Sequence, residues 1–460
     1  MPSNILSAIA VSEDQAKTKD DALRNNNSNE TEFQLVHLKS AWCCMKGDSS
    51  SLSDHISEAK IYESTSEQGK SWTIVSPIYF RYKVVESQNL LEPGNDTLLT
   101  GHLRDPEQLD AFRSSTKPIK RFVVIDETVN QLYGPQVSSY FEARNVNYKI
   151  LPLPTTEENK SMELVMKILQ ELHSFGISRH TEPIIAIGGG VCLDIVGFAA
   201  SLYRRRTPYI RVPTTLLSYV DASVGAKTGV NFSQCKNKLG SYIPPVATFL
   251  DRSFIQTVPR RQISNGLAEM LKMALMKHKG LFELLESHGK FLLDTNFQSC
   301  NGLLDHGCVA LMTSRIAIET MLEELAPNLW EDDLDRLVDF GHLISPELEM
   351  KVLPTLMHGE AVNIDMAYMT YVSNDRGFLT TAERNRIIQC MKNLELPVWH
   401  HDFSLNLVKK SLNERLKHSE GLQRMPLPTG VGTAEIFNDI DDEVLERSFK
   451  KWCEDLSTEE

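Results

Sequence analysis

The sequence has no stretch of about 18 apolar residues, so a membrane-spanning helix is not expected. The apolar run in "MPSNILSAIAVSEDQ" has no basic residue before it, which makes it a poor secretory leader, and the protein is read as cytoplasmic. Positive charge is in deficit: 48 Lys and Arg stand against 61 Asp and Glu, a net −13. That balance argues against nucleic acid or an anionic membrane as the main partner. It leaves room for a small phosphorylated substrate held by a local cluster of cations. The eight cysteines form no CxxC pair; Cys43 and Cys44 are adjacent and the rest scattered, as in free thiols of a reducing compartment. There is no GxGxxG fingerprint and no internal repeat.

What is present is enough chain for two domains with extensions, at 460 residues, and a composition of 41% hydrophobic and 24% charged residues that suits a globular protein. Residues 1–70 are polar and read as a poorly ordered extension, with "FQLVHLKSAWCCM" as a possible strand inside it. Over 71–257 the short β-rich runs "RFVVID", "YKILPL", "PIIAIGGG" and "YIRVP" alternate with helical stretches such as "SMELVMKILQELHSF". That alternation predicts an α/β domain with a parallel sheet. Over 258–460 the strand signals fade and amphipathic helix dominates, from "ISNGLAEMLKMALMKHKGLFELLESHGKFLL" onward.

Four stretches carry chemistry. Gly188, Gly189 and Gly190 join "PIIAI" to the helix-like "VCLDIVGFAASLYRRR". Such a turn brings backbone amides and the positive end of a helix close to a phosphate, or it is simply a tight strand-to-helix turn. Asp194 fits a ribose or substrate hydroxyl, or a carboxylate favouring the helix dipole. "RVPTTLLSYVDASVGAKTGVNFSQCKNKLG" sets Thr214, Thr215, Asp221, Lys227, Lys236 and Asn237 among small residues. It reads as a loop suited to an anionic ligand, or as an exposed polar loop. In "NGLAEMLKMA", Glu269 and Lys272 share a face of a largely apolar helix, where a carboxylate needs a partner. Finally, His342 and His358 each sit beside a glycine, in FGH and HGE, at the ends of the helical runs "LVDF" and "EAVNIDMAYM". Glu269 is either half of an ordinary Glu–Lys pair or the third ligand of a catalytic zinc site, in which one carboxylate and two imidazoles leave positions open.

In order and spacing, GGGVCLD, VPTTLL, VDASVGAKTGVN, KNKLG, GLAEMLK, FGH and HGEAV resemble the 3-dehydroquinate synthase superfamily of sugar phosphate cyclases, from about residue 72 to about 455. The resemblance implies an NAD-binding α/β domain with a parallel sheet, a mainly helical metal- and substrate-binding domain, and a homodimer with the active site between the domains. It implies Glu269, His342 and His358 as ligands of a divalent metal, zinc first and cobalt as an alternative. Asp221, Lys227 and Lys272 match active-site groups, and Lys236 and Asn237 match substrate and phosphate contacts. Arg205 matches the arginine that reaches the phosphate from the neighbouring subunit. Asp126, Glu157, Lys160, Asp194 and Thr215, with Thr214 and the three glycines, match positions around NAD.

The departures point further. "GHLISPELE" has Pro346 where the superfamily's dehydroquinate synthases usually carry a second histidine, Asp339 replaces an asparagine, and Asp335 replaces an arginine. Loss of positive charge and gain of a carboxylate suit a substrate that offers hydroxyls rather than a carboxylate. This pattern resembles the sedoheptulose 7-phosphate cyclase branch. Asp339 together with His418, in "LKHSEGLQRMPLPTG", matches one subgroup as catalytic positions, and "RRRTPYIRVPTTLLSYVDASVGAKTGVNF" resembles that subgroup's animal members. Three rivals remain at this level: the gadusol-type cyclases of the same superfamily, a metal-dependent polyol dehydrogenase of the same fold, and an inactive NAD-binding sensor.

Overall fold

The computed structural model describes residues 34–37, 43–46, 59–66, 69–76, 78–298 and 308–456. They divide into two compact units, Met1–Pro77 and Ile78–Glu460. The first contains two antiparallel hairpins, β1 (Gln34–His37) with β2 (Cys43–Lys46), and β3 (Lys60–Ser66) with β4 (Gly69–Val75). The strand expected in "FQLVHLKSAWCCM" is thus a pair of short strands. The rest of the extension expected over 1–70 lies largely outside the described residues.

The second unit opens with a six-stranded sheet in the order β5-β12-β9-β8-β6-β7, with every pairing parallel. Its strands are β5 (Lys83–Ser87), β6 (Lys120–Asp126), β7 (Asn147–Leu153), β8 (Ile184–Gly188), β9 (Tyr209–Pro213) and β12 (Ala247–Asp251). Between them run α1 (Thr97–Thr100), α2 (Pro106–Ser114), α3 (Glu127–Ala143), α4 (Met162–Phe175) and α5 (Gly190–Leu202). The continuous apolar runs follow from this: β8, β9 and β12 are buried along their whole length, so both faces of each strand must be apolar. Phe122, Val124, Ile184 and Ala186 face α4 and α5, while Val123, Ile125, Ile185 and Ile187 face α3. The stretch expected as a loop over 211–240 is more ordered than that. After a π-helical turn at Ser218–Ala222, it forms the antiparallel hairpin of β10 (Lys227–Phe232) and β11 (Cys235–Tyr242).

The second half is helical: α6 (Arg260–Lys277), α7 (Lys279–Asp294), α8 (Val309–Leu325), α9 (Ser345–Val352), α10 (His358–Asp375), α11 (Thr381–Asn393), α12 (Leu405–His418) and α13 (Asp442–Leu456). Two expectations need correction. "LVDF" makes only a single 3-10 turn, Leu337–Asp339, because the backbone turns out of the helix at Phe340, ψ 131°, and Gly341 follows at φ 73°. The fading of strand signals over 258–460 also misses a hairpin: "RMPLPTG" holds β13 (Met425–Gly430), paired with β14 (Thr433–Phe437). Pro426 and Pro428 hide it from a strand pattern, yet both strands of an isolated hairpin are edges, where a missing N–H is tolerated. Among the described residues no helix is long and apolar enough to cross a membrane.

Candidate functional site

The strand order reverses beside β6, because β7 lies on one side of it and β8 on the other. In open α/β sheets, ligands bind at the carboxyl ends of strands at such a switch point. Asp126 ends β6 there and caps α3, its Oδ1 accepting from Thr128 N at 2.9 Å and Val129 N at 3.1 Å. Its Oδ2 accepts from Thr155 Oγ1 at 2.5 Å. Gly188 ends the adjacent β8, and Gly189 and Gly190 start α5. Thr214 follows β9, its N donating to Gly188 O at 3.0 Å, and Thr215 packs over Gly189. The sequence-chosen glycines, threonines and Asp126 therefore meet at one crevice, with the amino end of α5 aimed into it.

Beside the crevice a polar network ties α5 to the β10–β11 hairpin. Lys160, buried, donates from Nζ to Asp194 Oδ2 and Asn237 Oδ1, both at 2.6 Å. Burial alone would lower its pKa, but the charges of Asp194 and Glu157 outweigh that and raise it. Asn231, which the sequence reading did not choose, joins the set through Glu157 Oε1 at 2.8 Å and Asn237 N at 2.8 Å.

The second cluster joins α6, the FGH loop and α10. Glu269 Oε1, in a fully buried side chain, faces His342 Nε2 at 3.6 Å and His358 Nε2 at 3.5 Å. It has no hydrogen-bond donor of its own. Ligands about 2.1 Å from a shared tetrahedral ion stand about 3.4 Å apart, so this donor set fits zinc. The two glycines beside the histidines have separate reasons. A Cβ on Gly341 would meet Met366 Cγ at 2.6 Å, besides the left-handed φ; a Cβ on Gly359 would lie 2.0 Å from the carbonyl oxygen of Asn265. Each glycine lets a histidine-bearing segment press against a neighbouring helix.

The far edge of each imidazole is held. His342 Nδ1 lies 3.1 Å from Phe340 O, and His358 Nδ1 lies 2.9 Å from Glu349 Oε2. Both contacts suit an Nδ1–H donor, which leaves the Nε2 lone pair for a metal. Lys236 Nζ sits 2.5 Å from Glu349 Oε2 and 2.9 Å from His358 Nδ1. Lys272 Nζ sits 2.5 Å from Glu269 Oε2. Burial opposes ionisation of Glu269, but Lys272 and His358 outweigh it and hold the carboxyl below its usual range. Burial likewise works against the Lys272 ammonium, and Glu269 and Asp221 more than restore it. Burial, with Lys272 and His358 nearby, pushes the His342 pKa well below 6.5, so that imidazole is neutral and ready to ligate. Burial opposes charge on Glu349 too, yet Lys236 and His358 drive its pKa down.

Asp339 stands apart from the Glu269–His342–His358 donor set. Its Oδ2 accepts from Arg336 at 2.8 Å and Arg415 at 3.0 Å, and these guanidiniums overcome burial to hold its pKa down to about 2. His418, expected opposite it, ends α12 in an exposed position, and Arg415, one turn earlier, is the residue that reaches Asp339. Lys227 pairs with Glu331 at 2.5 Å, and Glu331 also binds Arg336 and accepts from Tyr242 OH at 3.1 Å. Arg211, buried in β9, fixes the start of β10 through Gly225 O at 2.6 Å and Lys227 O at 2.9 Å. Arg205 is exposed in the turn Tyr203–Arg205. Sequence reasoning missed Glu349, Glu331, Arg336 and Arg415. Only Glu349, a carboxylate in "SPELE" just ahead of His358, left a local trace. Among the described residues one other group has metal-like donors, His400, His401 and Asp402, but Asp402 is paired with Lys351 at 2.7 Å.

A parallel sheet with a glycine turn at its switch point, continued by a helical half carrying a Glu–His–His donor set, defines a nucleotide-binding α/β enzyme with a metal-binding domain. Comparison with known proteins agrees. The family model for the 3-dehydroquinate synthase N-terminal domain matches residues 150–265, and that for the C-terminal domain matches residues 266–418. A 2-epi-5-epi-valiolone synthase of Streptomyces hygroscopicus subsp. jinggangensis is 44% identical over 84% of this chain and 91% of its own. A demethyl-4-deoxygadusol synthase of Trichormus variabilis is 37% identical over 70% of this chain and 78% of its own. The solved structure of the Streptomyces hygroscopicus 2-epi-5-epi-valiolone synthase, with NAD+ and Zn2+ bound, superposes with a TM-score of 0.76 at 42% identity, covering 84% of this chain and 100% of that one. The chain belongs to the 3-dehydroquinate synthase-like family of sugar phosphate cyclases. The relatives named here are bacterial.

Proposed function

We propose that the protein is a 2-epi-5-epi-valiolone synthase. It cyclises sedoheptulose 7-phosphate and releases phosphate through alcohol oxidation, β-elimination, reduction and intramolecular aldol closure. The observation that carries this reading is the pair of lysines at the proposed metal ligands: Lys272, buried, against Glu269 and Lys236, nearly buried, against Glu349 and His358. A polyol dehydrogenase of similar fold needs the metal ligands but not these cations. Identity to the valiolone synthase, at 44% against 37% for the gadusol-type relative, supports the same branch.

NAD at the β6–β8 crevice would take and return the hydride, and zinc held by Glu269, His342 and His358 would polarise the reacting oxygens. The chain's own groups do the rest. The positive end of α5 receives the pyrophosphate, and Asp126, Glu157, Lys160 and Asp194 line the sugar side. Glu349 keeps the proton on His358 Nδ1. Lys272 keeps Glu269 ionised and presents an ammonium to substrate oxygens beside Asp221. Lys227, Lys236, Asn237 and a partner subunit's arginine at position 205 form the phosphate-binding side. Arg336 and Arg415, oriented by Asp339, put cations rather than a bare carboxylate on the remaining wall.

The test is incubation of the purified protein with sedoheptulose 7-phosphate and catalytic NAD. Expected is phosphate release over many turnovers per NAD, with the mass of 2-epi-5-epi-valiolone in the product. Stoichiometric NADH without phosphate would make it a dehydrogenase. A product one water lighter, with enone absorbance, would make it a demethyl-4-deoxygadusol synthase. No turnover, with NAD bound, would make it a sensor.

A further inference from the structure

Asp365 lies two turns beyond His358 on α10, fully buried, and no step above uses it. A carboxylate in such surroundings is costly unless its hydrogen bonds are needed. Its Oδ2 accepts from the backbone N–H of Ile344 at 2.6 Å and of Ser345 at 2.9 Å. Its Oδ1 is buried without a partner. The two amides belong to the start of α9, whose own N-cap residue, Ile344, offers no side-chain cap. Asp365 therefore caps α9 from a different helix. Ser345, held by that bond, donates from Oγ to Gly341 O at 2.6 Å, which closes the loop around His342. On the other side of the cap, α9 delivers Glu349 to His358 Nδ1. One side chain on the helix of His358 thus fastens both the loop carrying His342 and the helix carrying the group that orients His358.

We propose that Asp365 is a positioning residue that locks His342 and Glu349 in register with His358 and so sets the metal affinity of the site. This rests on Glu269, His342 and His358 as the ligands, and not on which sugar phosphate is the substrate. Outer groups that orient ligands are typically worth about 10- to 100-fold in metal affinity. An amide oxygen can accept the same two N–H bonds, so Asp365→Asn keeps the cap, whereas Asp365→Ala removes it.

The experiment measures zinc affinity of the full chain by competition with a chelator, alongside NAD binding and amide hydrogen exchange at Ile344 and Ser345. Expected for Asp365→Ala is a loss of zinc affinity of about 10- to 100-fold, faster exchange at both amides and unchanged NAD binding. Asp365→Asn should stay close to wild type in all three. If Asp365→Ala does not fold, Asp365→Ser, which withdraws the acceptor from the amides, carries the same expectation. Wild-type zinc affinity in a folded Ala or Ser variant overturns the proposal. So does an Asn variant as weak as Ala, since charge rather than the cap would then matter. Failure of the ligand assignment looks different, because His358→Ala would then leave zinc binding intact; failure of the proposed substrate leaves all these readouts unchanged.

Discussion

His358 uses one ring nitrogen toward Glu269 and the other toward Glu349 and Lys236, so a single substitution removes a proposed ligand and unties the groups behind it. Expected for His358→Ala is loss of bound zinc, measured by elemental analysis, and of turnover, with the circular dichroism spectrum retained. Stoichiometric metal and normal turnover in that variant would show that the ligand is elsewhere. Asp339 carries a different kind of burden. Its pKa of about 2 lies below the usual carboxylate value, so the folded state favours its ionised form. That stability is fully present above about pH 4 and is lost as the pH falls toward 2. Asp339→Ala leaves Arg336 and Arg415 facing a vacated partner, a change that costs about 3 kcal/mol at neutral pH. Denaturant midpoints should show that deficit at pH 7 and its shrinkage below pH 4. An equal deficit at pH 7 and pH 3 would mean that Asp339 acts through packing and not through charge.

Among the elements, the parts legible in the sequence were those whose reason is local. "RFVVID" and "PIIAI" read as buried strands because β6 and β8 are covered on both faces, and Gly188 to Gly190 marked the turn between β8 and α5. Arg415 and Asp365 are not legible, and Glu349 only as a carboxylate ahead of His358, because their partners lie 76, 21 and 9 residues away and only the packing of α9, α10 and α12 brings them together. The glycine beside His358 stands out in the sequence, but its cause, the Asn265 carbonyl on α6, belongs to a helix crossing that no local pattern records. Gly359→Ala forces α10 away from α6 and should cost about 3 kcal/mol, at the upper end of over-packing penalties, and weaken zinc binding with it. A variant with wild-type melting and metal affinity would show that the crossing adjusts without loss. Asp365 adds a pH signature to the same pair of helices. Burial raises its carboxyl pKa to about 6, so the folded protein holds that proton more tightly than the unfolded chain. Its contribution to stability therefore falls as pH rises from about 4 to about 6, by up to about 3 kcal/mol, and is flat outside that window. Asp365→Asn has no proton to lose. Its stability relative to wild type should rise across that interval and then level off, as read from unfolding curves at each pH; a difference independent of pH would place the Asp365 titration elsewhere.

For the whole molecule, the question is how a chain of net charge −13 holds a phosphorylated substrate. The cations assigned to the phosphate include Lys236, nearly buried behind His358, and Lys227, engaged with Glu331, while Arg205 points outward. Arg204, Arg205 and Arg206 take φ values of 49°, 67° and 152°, left-handed backbone that costs a non-glycine residue about 1 kcal/mol or more. A turn strained in this way, presenting an exposed guanidinium, fits a residue that serves a neighbouring copy of the chain. In a two-fold dimer the consequence is specific. If the partner supplies Arg205 as proposed, a chain with Arg205→Ala would keep its own Lys272 and take its arginine from the partner, and a chain with Lys272→Met would spoil its own site and still lend Arg205. Each homodimer should be inactive. After subunit exchange about half of the dimers are mixed, each with one intact site, so about a quarter of wild-type activity should return. Differently tagged chains, purified through both tags, would verify the exchange and should carry all of the recovered turnover. If doubly tagged dimers form and stay inactive, Arg205 serves its own subunit or none, and the phosphate must be held by Lys227, Lys236 and Asn237 without it.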